Sequence, residues 1–145
     1  MKKLFSTILV LSLLLSGSAY SRPVKTTWVI EKYIGSGAYS DPEKLVGKTQ
    51  RFFKGLAEGA FFNCDYGGLV SDYATYTNEE FFNNKQFRLF LQQKSKLNFP
   101  INKKIYVEKL TCADNKTVLF PFIQFEDEEI AFYEFDMVIY QLRHK

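Results

Sequence analysis

The chain has 145 residues and a formal net charge of +3; 46% of its residues are hydrophobic and 17% are aromatic. This length excludes a large multidomain enzyme, and the aromatic content excludes a disordered chain. Two cysteines with a single histidine are too few for a zinc finger, and two cysteines are too few for a disulfide-rich miniprotein. Because Lys2 and Lys3 are the only charges in residues 1–21, 17 basic and 16 acidic residues remain beyond them, which predicts no binding of nucleic acid.

Residues 1–21 have the pattern of a signal peptide. Two lysines precede an apolar stretch from Leu4 to Leu15, and small residues lead to Ala19 and Ser21, which suit the −3 and −1 positions of a cleavage site. The stretch is short for a membrane span, which needs about 20 apolar residues; an uncleaved anchor is the alternative. We therefore expect an exported bacterial protein, periplasmic or secreted, whose mature part is a single globular domain over residues 22–145 with no membrane span.

The first elements of the mature chain are a strand and a short helix. Trp28 to Ile34 is a strand candidate, and a glycine-containing loop follows it. Asp41 or Ser40 suits a helix N-cap and Pro42 suits the first helical position, which predicts a short helix at about 41–47.

The next elements are a hairpin and a strand. The runs Lys48–Lys54 and Ala60–Tyr66 flank the five residues 55–59, which include two glycines, and this connection suits a β-hairpin. A helix across the whole region is disfavoured, because each interior glycine costs about 1 kcal/mol relative to alanine. Ser71–Thr77 is the next strand candidate.

Residues 78–97 are predicted to form the longer helix. Thr77 or Asn78 suits its N-cap, acidic residues occupy its first turn, and Pro100 follows its end. The segment is so rich in phenylalanine and leucine that we expect it to pack closely against the rest of the domain.

Strands are predicted for the remainder of the chain. The candidates are Lys103–Cys112, Val118–Glu126, Ile130–Phe135 and Val138–Arg143, although the last two could form one bent strand. Pro121 lies inside the second candidate and indicates an edge position or a bulge. Short turns between these strands predict an α+β, mainly β fold, with a small antiparallel β-barrel or strongly curved sheet of six to eight strands.

Cys64 and Cys112 are the only cysteines. In an exported protein an even pair most simply forms one disulfide. Two cysteines do not complete a zinc site, and the only histidine is His144 near the C-terminus, so no metal site and no cofactor are predicted.

Candidate catalytic groups are few. His144 is expected at a frayed chain end, which disfavours a serine or cysteine nucleophile activated by histidine. A pair of carboxylates could still hydrolyse a glycoside; the acids in question are Glu79, Glu80, Glu126, Asp127, Glu128 and Glu129. The alternative interpretation of these acids is a charged helix start and a solvated turn.

Tyrosines beside glycines supply candidate contact residues. They are Tyr39, Tyr66, Tyr73 and Tyr76, and exposed tyrosines are common at contacts with ligands and partner proteins. The alternative is that these side chains lie half-buried at the barrel rim.

The organisation resembles that of small exported bacterial proteins of the lipocalin-like β-barrel type. The shared features are the early Trp28, a short helix at Pro42–Val46 and the cysteine pair, although a long helix at 78–97 is not part of that pattern. One such group, the periplasmic inhibitors of C-type lysozyme, carries an S-G-x-x-Y loop that enters the lysozyme cleft. Ser36, Gly37 and Tyr39 correspond to it with a spacing one residue shorter, and the resemblance implies that they are binding residues.

These observations predict a non-catalytic exported binding domain. Its partner would be a protein or a small apolar ligand, contacted through the tyrosines. The alternatives are an inhibitor of a cell-wall hydrolase such as lysozyme, and a small carboxylate-dependent hydrolase.

Overall fold

The computed structural model describes residues 27–53, 55–65, 67–113, 117–118 (backbone only) and 121–145. The predicted signal peptide lies outside these residues. The described part contains nine strands: β1 (Thr27–Ile34), β2 (Thr49–Phe53), β3 (Leu56–Gly59), β4 (Leu69–Tyr76), β5 (Ile105–Cys112), β6 (Thr117–Val118), β7 (Phe122–Phe125), β8 (Ile130–Phe135) and β9 (Val138–His144).

The strands form one antiparallel sheet that curves into a nearly closed barrel. Its order is β3-β2-β1-β9-β8-β7-β5-β4, and β6 pairs with β5 outside this path. The two ends of the path approach each other, because the Leu69 amide donates to the Gly55 carbonyl at 2.8 Å. The predicted mainly-β barrel is thereby confirmed.

The last two strands are separate and form a tight hairpin. Asp136 and Met137 connect β8 to β9 with φ angles of 52° and 67°. Two consecutive residues with positive φ are typical of the type I′ turn, whose twist matches that of the flanking strands. The alternative of one bent strand is therefore wrong.

The sheet buries side chains on both of its faces. Along β8, Ala131 and Tyr133 point into the barrel, whereas Phe132 points to the outer face. The interior is filled by Trp28, Ile30, Phe52, Ala57, Phe61, Cys64, Leu69, Leu110, Cys112, Phe122, Ala131, Tyr133, Val138, Tyr140 and Leu142. Strands that are covered on both faces are apolar on both faces. β7 is such a strand, because Phe122 belongs to the interior and Ile123 to the outer layer.

The outer face is covered by the segment predicted as one long helix. The segment is helical in four short pieces: α1 (Asn78–Phe82), a 3-10 turn (Lys85–Phe87), α2 (Arg88–Gln92) and a second 3-10 turn (Lys94–Lys96). The interruption falls at Asn83 and Asn84, and the Asn84 side chain accepts from the Gln86 amide at 2.9 Å. Asparagine competes in this way with helical hydrogen bonding, so the predicted continuous helix is corrected to a broken one.

Phenylalanines of the broken helix, together with Phe99 just after it, form the outer core with the sheet. Phe81 stacks on Phe87 with ring centroids 4.2 Å apart, and Phe99 stacks on Phe132 of β8 at 5.6 Å. The short helices can follow the curvature of the sheet, so several rings reach it at once.

The predicted short helix is present as a 3-10 helix over Pro42–Leu45. The Asp41 carboxylate accepts from the Glu43 amide at 3.2 Å, and the proline occupies the first turn. The chain leaves the helix at Gly47, whose φ of 91° suits glycine.

The predicted hairpin is present, but its second strand is shifted. Residues Leu56–Gly59, predicted as the connection, form β3 and pair with β2. The following residues turn inward, because the buried Gln50 side chain accepts from the Phe61 amide at 3.0 Å and donates to the Phe62 carbonyl at 3.1 Å. Only Cys64 continues the sheet, as an isolated bridge to Ala57.

The strand predicted at Val118–Glu126 is two strands, β6 and β7, on either side of Pro121. Both pair with β5, and the proline lies between them. A proline has no amide proton for the sheet, which explains the interruption.

The disulfide between Cys64 and Cys112 is present, with α-carbons 5.6 Å apart. Both residues are buried in the barrel interior. The bond fastens the inward-turning segment after β3 to the end of β5, where the barrel approaches closure.

Replacement of both cysteines by alanine is expected to lower the free energy of unfolding by about 4 kcal/mol, since the bond closes a loop of 48 residues. Urea denaturation of the variant and of the wild type measures this. Reduced wild-type protein serves as the control and should match the double variant. An unchanged free energy would show that the bond adds nothing to stability.

Candidate functional site

The loop after β1 closes around the carboxylate of Asp136. The Tyr39 and Ser40 amides each donate to Asp136 Oδ2 at 2.8 Å, and the Ser40 hydroxyl donates to the same oxygen at 2.7 Å. Asp136 lies in the two-residue β8–β9 turn, so these bonds attach the loop to a tight hairpin of the sheet. We call residues 36–40 the Tyr39 loop.

The electrostatics of this contact favour an ionised Asp136. The Ser40 hydroxyl, followed by backbone donors of Tyr39, Ser40 and Ala38, lowers the pKa of the Asp136 carboxyl. Converging amide protons form an anion-binding concavity, and in this protein the anion is one of its own side chains.

Gly37 is required for this geometry. A β-carbon at Gly37 would lie 2.7 Å from Asp136 Oδ2 and 2.7 Å from the Ser40 carbonyl oxygen. Those atoms belong to the hydrogen-bonded centre of the loop, so any side chain at this position would push the loop away from Asp136.

Two large side chains are exposed at this end of the barrel. Tyr39 is 98% exposed and Met137, next to Asp136, is 68% exposed. The loop therefore presents an aromatic ring to solvent while its backbone is held in place.

The other predicted contact residues do not join this loop. Tyr66 lies outside the described residues. Tyr73 and Tyr76 belong to β4, where Tyr73 packs on Tyr106 with ring centroids 6.3 Å apart and Tyr76 packs on Phe87 at 5.7 Å. Their partners lie on opposite faces of the sheet, so of the predicted residues only Ser36, Gly37 and Tyr39 share one loop.

The predicted carboxylates occupy surface positions. Glu79 and Glu80 lie in the first turn of α1, which Thr77 caps, and they line an open cleft of about 640 Å³ together with Lys103 and Lys104. The acids of the β7–β8 turn have basic partners in Lys104–Glu126 and Lys103–Glu128 at 4.0 Å, and in His144–Glu129 at 3.2 Å.

The expectation of a frayed end at His144 is wrong. This residue closes β9, and its ring lies 5.4 Å from that of Trp28. The Lys145 amide also donates to the Thr27 carbonyl at 2.9 Å, so pairing with β1 continues to the last residue.

A second unusual feature is a polar pair inside the barrel. Four polar side chains are buried among the described residues: Gln50, Glu108, Gln124 and Gln141. Gln50 bonds to the segment after β3, and Gln141 donates to Glu31 at 3.0 Å. In contrast, the Gln124 amide nitrogen has no hydrogen-bond partner among the described residues, and the Glu108 carboxylate has neither a hydrogen bond nor an ion pair with any of them.

Burial governs the chemistry of Glu108, which is only 3% exposed. Desolvation, with a smaller contribution from the negative charge of Asp72, raises the pKa of the Glu108 carboxyl to about 7. A buried carboxyl with such a pKa changes its charge near neutral pH.

Sequence reasoning missed both Asp136 and Glu108 as site residues. Asp136 is visible as the polar break between two apolar strands, but its partners in the loop are 96 and 97 residues away in sequence. Glu108 is visible in the sequence as the only acid of strand β5. An acid in a strand with so many apolar residues is unusual, because glutamate is rarely buried unless it is paired.

Compared with protein families, with curated proteins and with solved structures, the chain gives no significant match. Within the described ranges, no group of three or more histidine, cysteine, aspartate or glutamate side chains could hold a metal ion. None of the helices formed by these residues has the length and apolar character needed to cross a bilayer.

Replacing Asp136 by alanine is expected to free the Tyr39 loop. The Tyr39 and Ser40 amides should then exchange with deuterium at least about tenfold faster, because their acceptor is gone. The Gly47 amide, which donates to the Ile30 carbonyl at 2.8 Å, is the internal control and should be unchanged. Unaltered exchange at both loop amides would contradict the role assigned to Asp136.

Glu108→Gln is expected to change how stability depends on pH. In the wild type the Glu108 carboxyl has the ordinary pKa of 4.5 in the unfolded chain and a pKa of about 7 in the folded protein. The contribution of Glu108 to stability is therefore most favourable below pH 4.5 and falls as pH rises from 4.5 through 7. The amide cannot ionise, so at pH 8 the variant should be more stable by about 2 kcal/mol.

Urea denaturation at pH 4 and pH 8 checks this. The two proteins should differ little at pH 4. Glu128→Gln, which changes an exposed glutamate of the β7–β8 turn, is the matched control. A variant equally or less stable than the wild type at pH 8 would contradict the burial of an ionising Glu108.

Proposed function

We propose that this chain is an exported binding domain that recognises a partner protein through the Tyr39 loop. The observation that carries the proposal is an almost fully exposed tyrosine on a loop held by three hydrogen bonds to Asp136. Tyrosine is enriched among residues that dominate binding energy, and a pre-ordered backbone reduces the entropy lost on association.

The packing of the barrel favours a protein partner over an apolar ligand carried inside. Large rings occupy the interior, such as Phe61 against Tyr133 with centroids 4.8 Å apart and Trp28 against Phe122 at 5.3 Å. Because packed rings fill the interior, a partner is expected to bind at the loops rather than inside the barrel.

The compartment proposed is outside the cytoplasm. Disulfides persist in oxidising environments, and the Cys64–Cys112 bond is compatible with one. The signal-peptide pattern of residues 1–21 supports the same assignment.

For the partner we propose a cell-wall hydrolase of the C-type lysozyme class. The support is the similarity of Ser36, Gly37 and Tyr39 to the inhibitory loop of periplasmic lysozyme inhibitors. An exposed aromatic on a firm loop fits a substrate cleft, where it can block access without chemistry of its own.

A carboxylate-dependent hydrolase is the less favoured alternative. Three of the candidate acids in the β7–β8 turn lie near basic side chains, and Glu79 and Glu80 lie in the first turn of α1, where acids stabilise the helix. Ion pairing and helix capping account for these acids without any catalytic role. The ring of Tyr39, in contrast, is almost fully exposed.

The test is the rate at which C-type lysozyme clears a suspension of bacterial cell walls. The purified, disulfide-bonded protein should slow clearing, and Tyr39→Ala should weaken inhibition at least tenfold, which corresponds to about 1.4 kcal/mol of binding energy. Tyr39→Phe should retain most of the potency, because the ring provides the buried area.

Ile101→Ala is the matched control, since Ile101 is also a large exposed side chain, at 77%, and lies outside the loop. Thermal unfolding should show that the fold of each variant is intact. A wild-type protein that leaves clearing unchanged, or a Tyr39→Ala variant of full potency, would overturn the assignment.

A further inference from the structure

We propose that Met137 is a second contact residue for the partner protein, and that its side chain and the Tyr39 ring form one binding surface. This role for Met137 rests on the function proposed for the Tyr39 loop and deepens it, because it describes the partner as a positively charged protein with an apolar cleft. Met137 has a backbone conformation that methionine rarely adopts, at a position where the fold does not need its side chain.

Met137 is the exception among the residues with positive φ. In the described part of the chain, the non-glycine residues with positive φ are Asn102, Asp127, Asp136 and Met137. Asparagine and aspartate adopt left-handed conformations more readily than other L-residues do. Met137 has the largest of the four angles, 67°, and its thioether is only a weak hydrogen-bond acceptor. Its backbone is therefore strained without a local compensation.

Glycine is the residue that this turn favours at position 137. Type I′ turns require positive φ at both central residues, and their preferred sequences are Asn-Gly and Asp-Gly. Asp136 matches the first position, whereas Met137 stands where the glycine is preferred. Packing does not offset the strain, because Met137 is 68% exposed and belongs to neither apolar core. A strained residue whose side chain the fold does not use indicates a functional role.

The hydrogen bonds at Asp136 place Met137 beside the Tyr39 loop. The Tyr39 amide donates to Asp136 Oδ2 at 2.8 Å, and Met137 is the next residue along the turn. The bond lengths along this path put the α-carbons of Tyr39 and Met137 within about 12 Å of each other. A β-carbon at Gly35, just before the loop, would lie 3.2 Å from the Met137 carbonyl oxygen. Both exposed side chains therefore fit within one protein interface, which covers about 800 Å² on each partner.

The two side chains suit an apolar cleft. Tyrosine offers a rigid ring with a polar hydroxyl, and methionine offers a flexible, polarisable thioether that adapts to irregular apolar surfaces. Both residue types are enriched at protein interfaces. A cleft that buries the Tyr39 ring and the Met137 thioether together has to be largely apolar where they enter.

The residues around this surface carry negative charge. Residues 36–43 and 134–137 include no lysine or arginine, and their acids are Asp41, Glu43, Glu134 and Asp136. Lys44 lies 4.0 Å from Asp41 and balances one of these charges. A net negative charge remains beside the two exposed side chains, so the complementary partner is positively charged.

The experiment measures the binding of C-type lysozyme to the disulfide-bonded protein by isothermal titration calorimetry. Met137→Ala should raise the dissociation constant at least about fivefold. Met137→Leu should retain most of the affinity, because leucine restores the apolar volume. Ile101→Ala, which removes another large exposed side chain, is the control and should bind as the wild type does. Raising sodium chloride from about 0.05 M to about 0.3 M should weaken wild-type binding, because salt screens the opposite charges.

Met137→Gly distinguishes a contact residue from a residue that supports the fold. Glycine adopts a positive φ without strain, so the melting temperature should rise by about 4 °C. The affinity for lysozyme should fall as it does in Met137→Ala. A side chain that only stabilised the turn would lower the melting temperature when it is removed.

The role of Met137 would be overturned by full affinity in Met137→Ala, by a melting temperature of Met137→Gly at or below that of the wild type, or by an affinity that does not change with salt. If the wild type itself fails to bind lysozyme, the proposed function fails and the role of Met137 fails with it. If the wild type binds and slows clearing while Met137→Ala binds equally well, the role of Met137 alone fails.

Discussion

Four adjacent strands, β5, β7, β8 and β9, have to be covered on both faces, and the rest of the structure follows from that constraint. Their side chains alternate between two apolar layers, so neither layer can be removed without exposing the other side of the same strands. The inner layer is enclosed because the sheet curves until the two ends of its strand path approach each other, near Gly55 and Leu69. Outside, the phenylalanine-rich segment with α1 and α2 lies across the sheet. The disulfide between Cys64 and Cys112 lies beside this near-closure of the barrel.

This rigid centre is also what allows the Tyr39 loop to be ordered. Asp136 is the first residue of a two-residue turn between β8 and β9, and its carboxylate reaches the loop that follows β1. The loop bonds to that carboxylate through the Tyr39 and Ser40 amides, so the backbone that carries the exposed tyrosine is tied to the sheet. The same sheet carries Glu108, which is the only acid of β5 and is buried.

The sequence predicted features with local causes and missed those with distant ones. The Asp41–Pro42 helix start and the disulfide depend on neighbouring residues or on composition, and both are present. The helix at 78–97 was predicted as continuous because apolar spacing was considered without the capping tendency of Asn84. The role of Asp136 depends on partners nearly a hundred residues away, and the isolation of Glu108 depends on which face of β5 turns inward. Neither can be read from a linear pattern.

The outer phenylalanine layer affects how the protein opens locally. It is held by short helical turns, several of them a single turn long, rather than by one cooperative helix, and such elements open locally at lower cost than the whole molecule unfolds. When this cover lifts, the sheet beneath is still intact and presents Phe132, Ile123 and Val107 to solvent. A partly opened form of this kind keeps its disulfide closed and exposes an apolar sheet face, which is the type of surface that promotes aggregation.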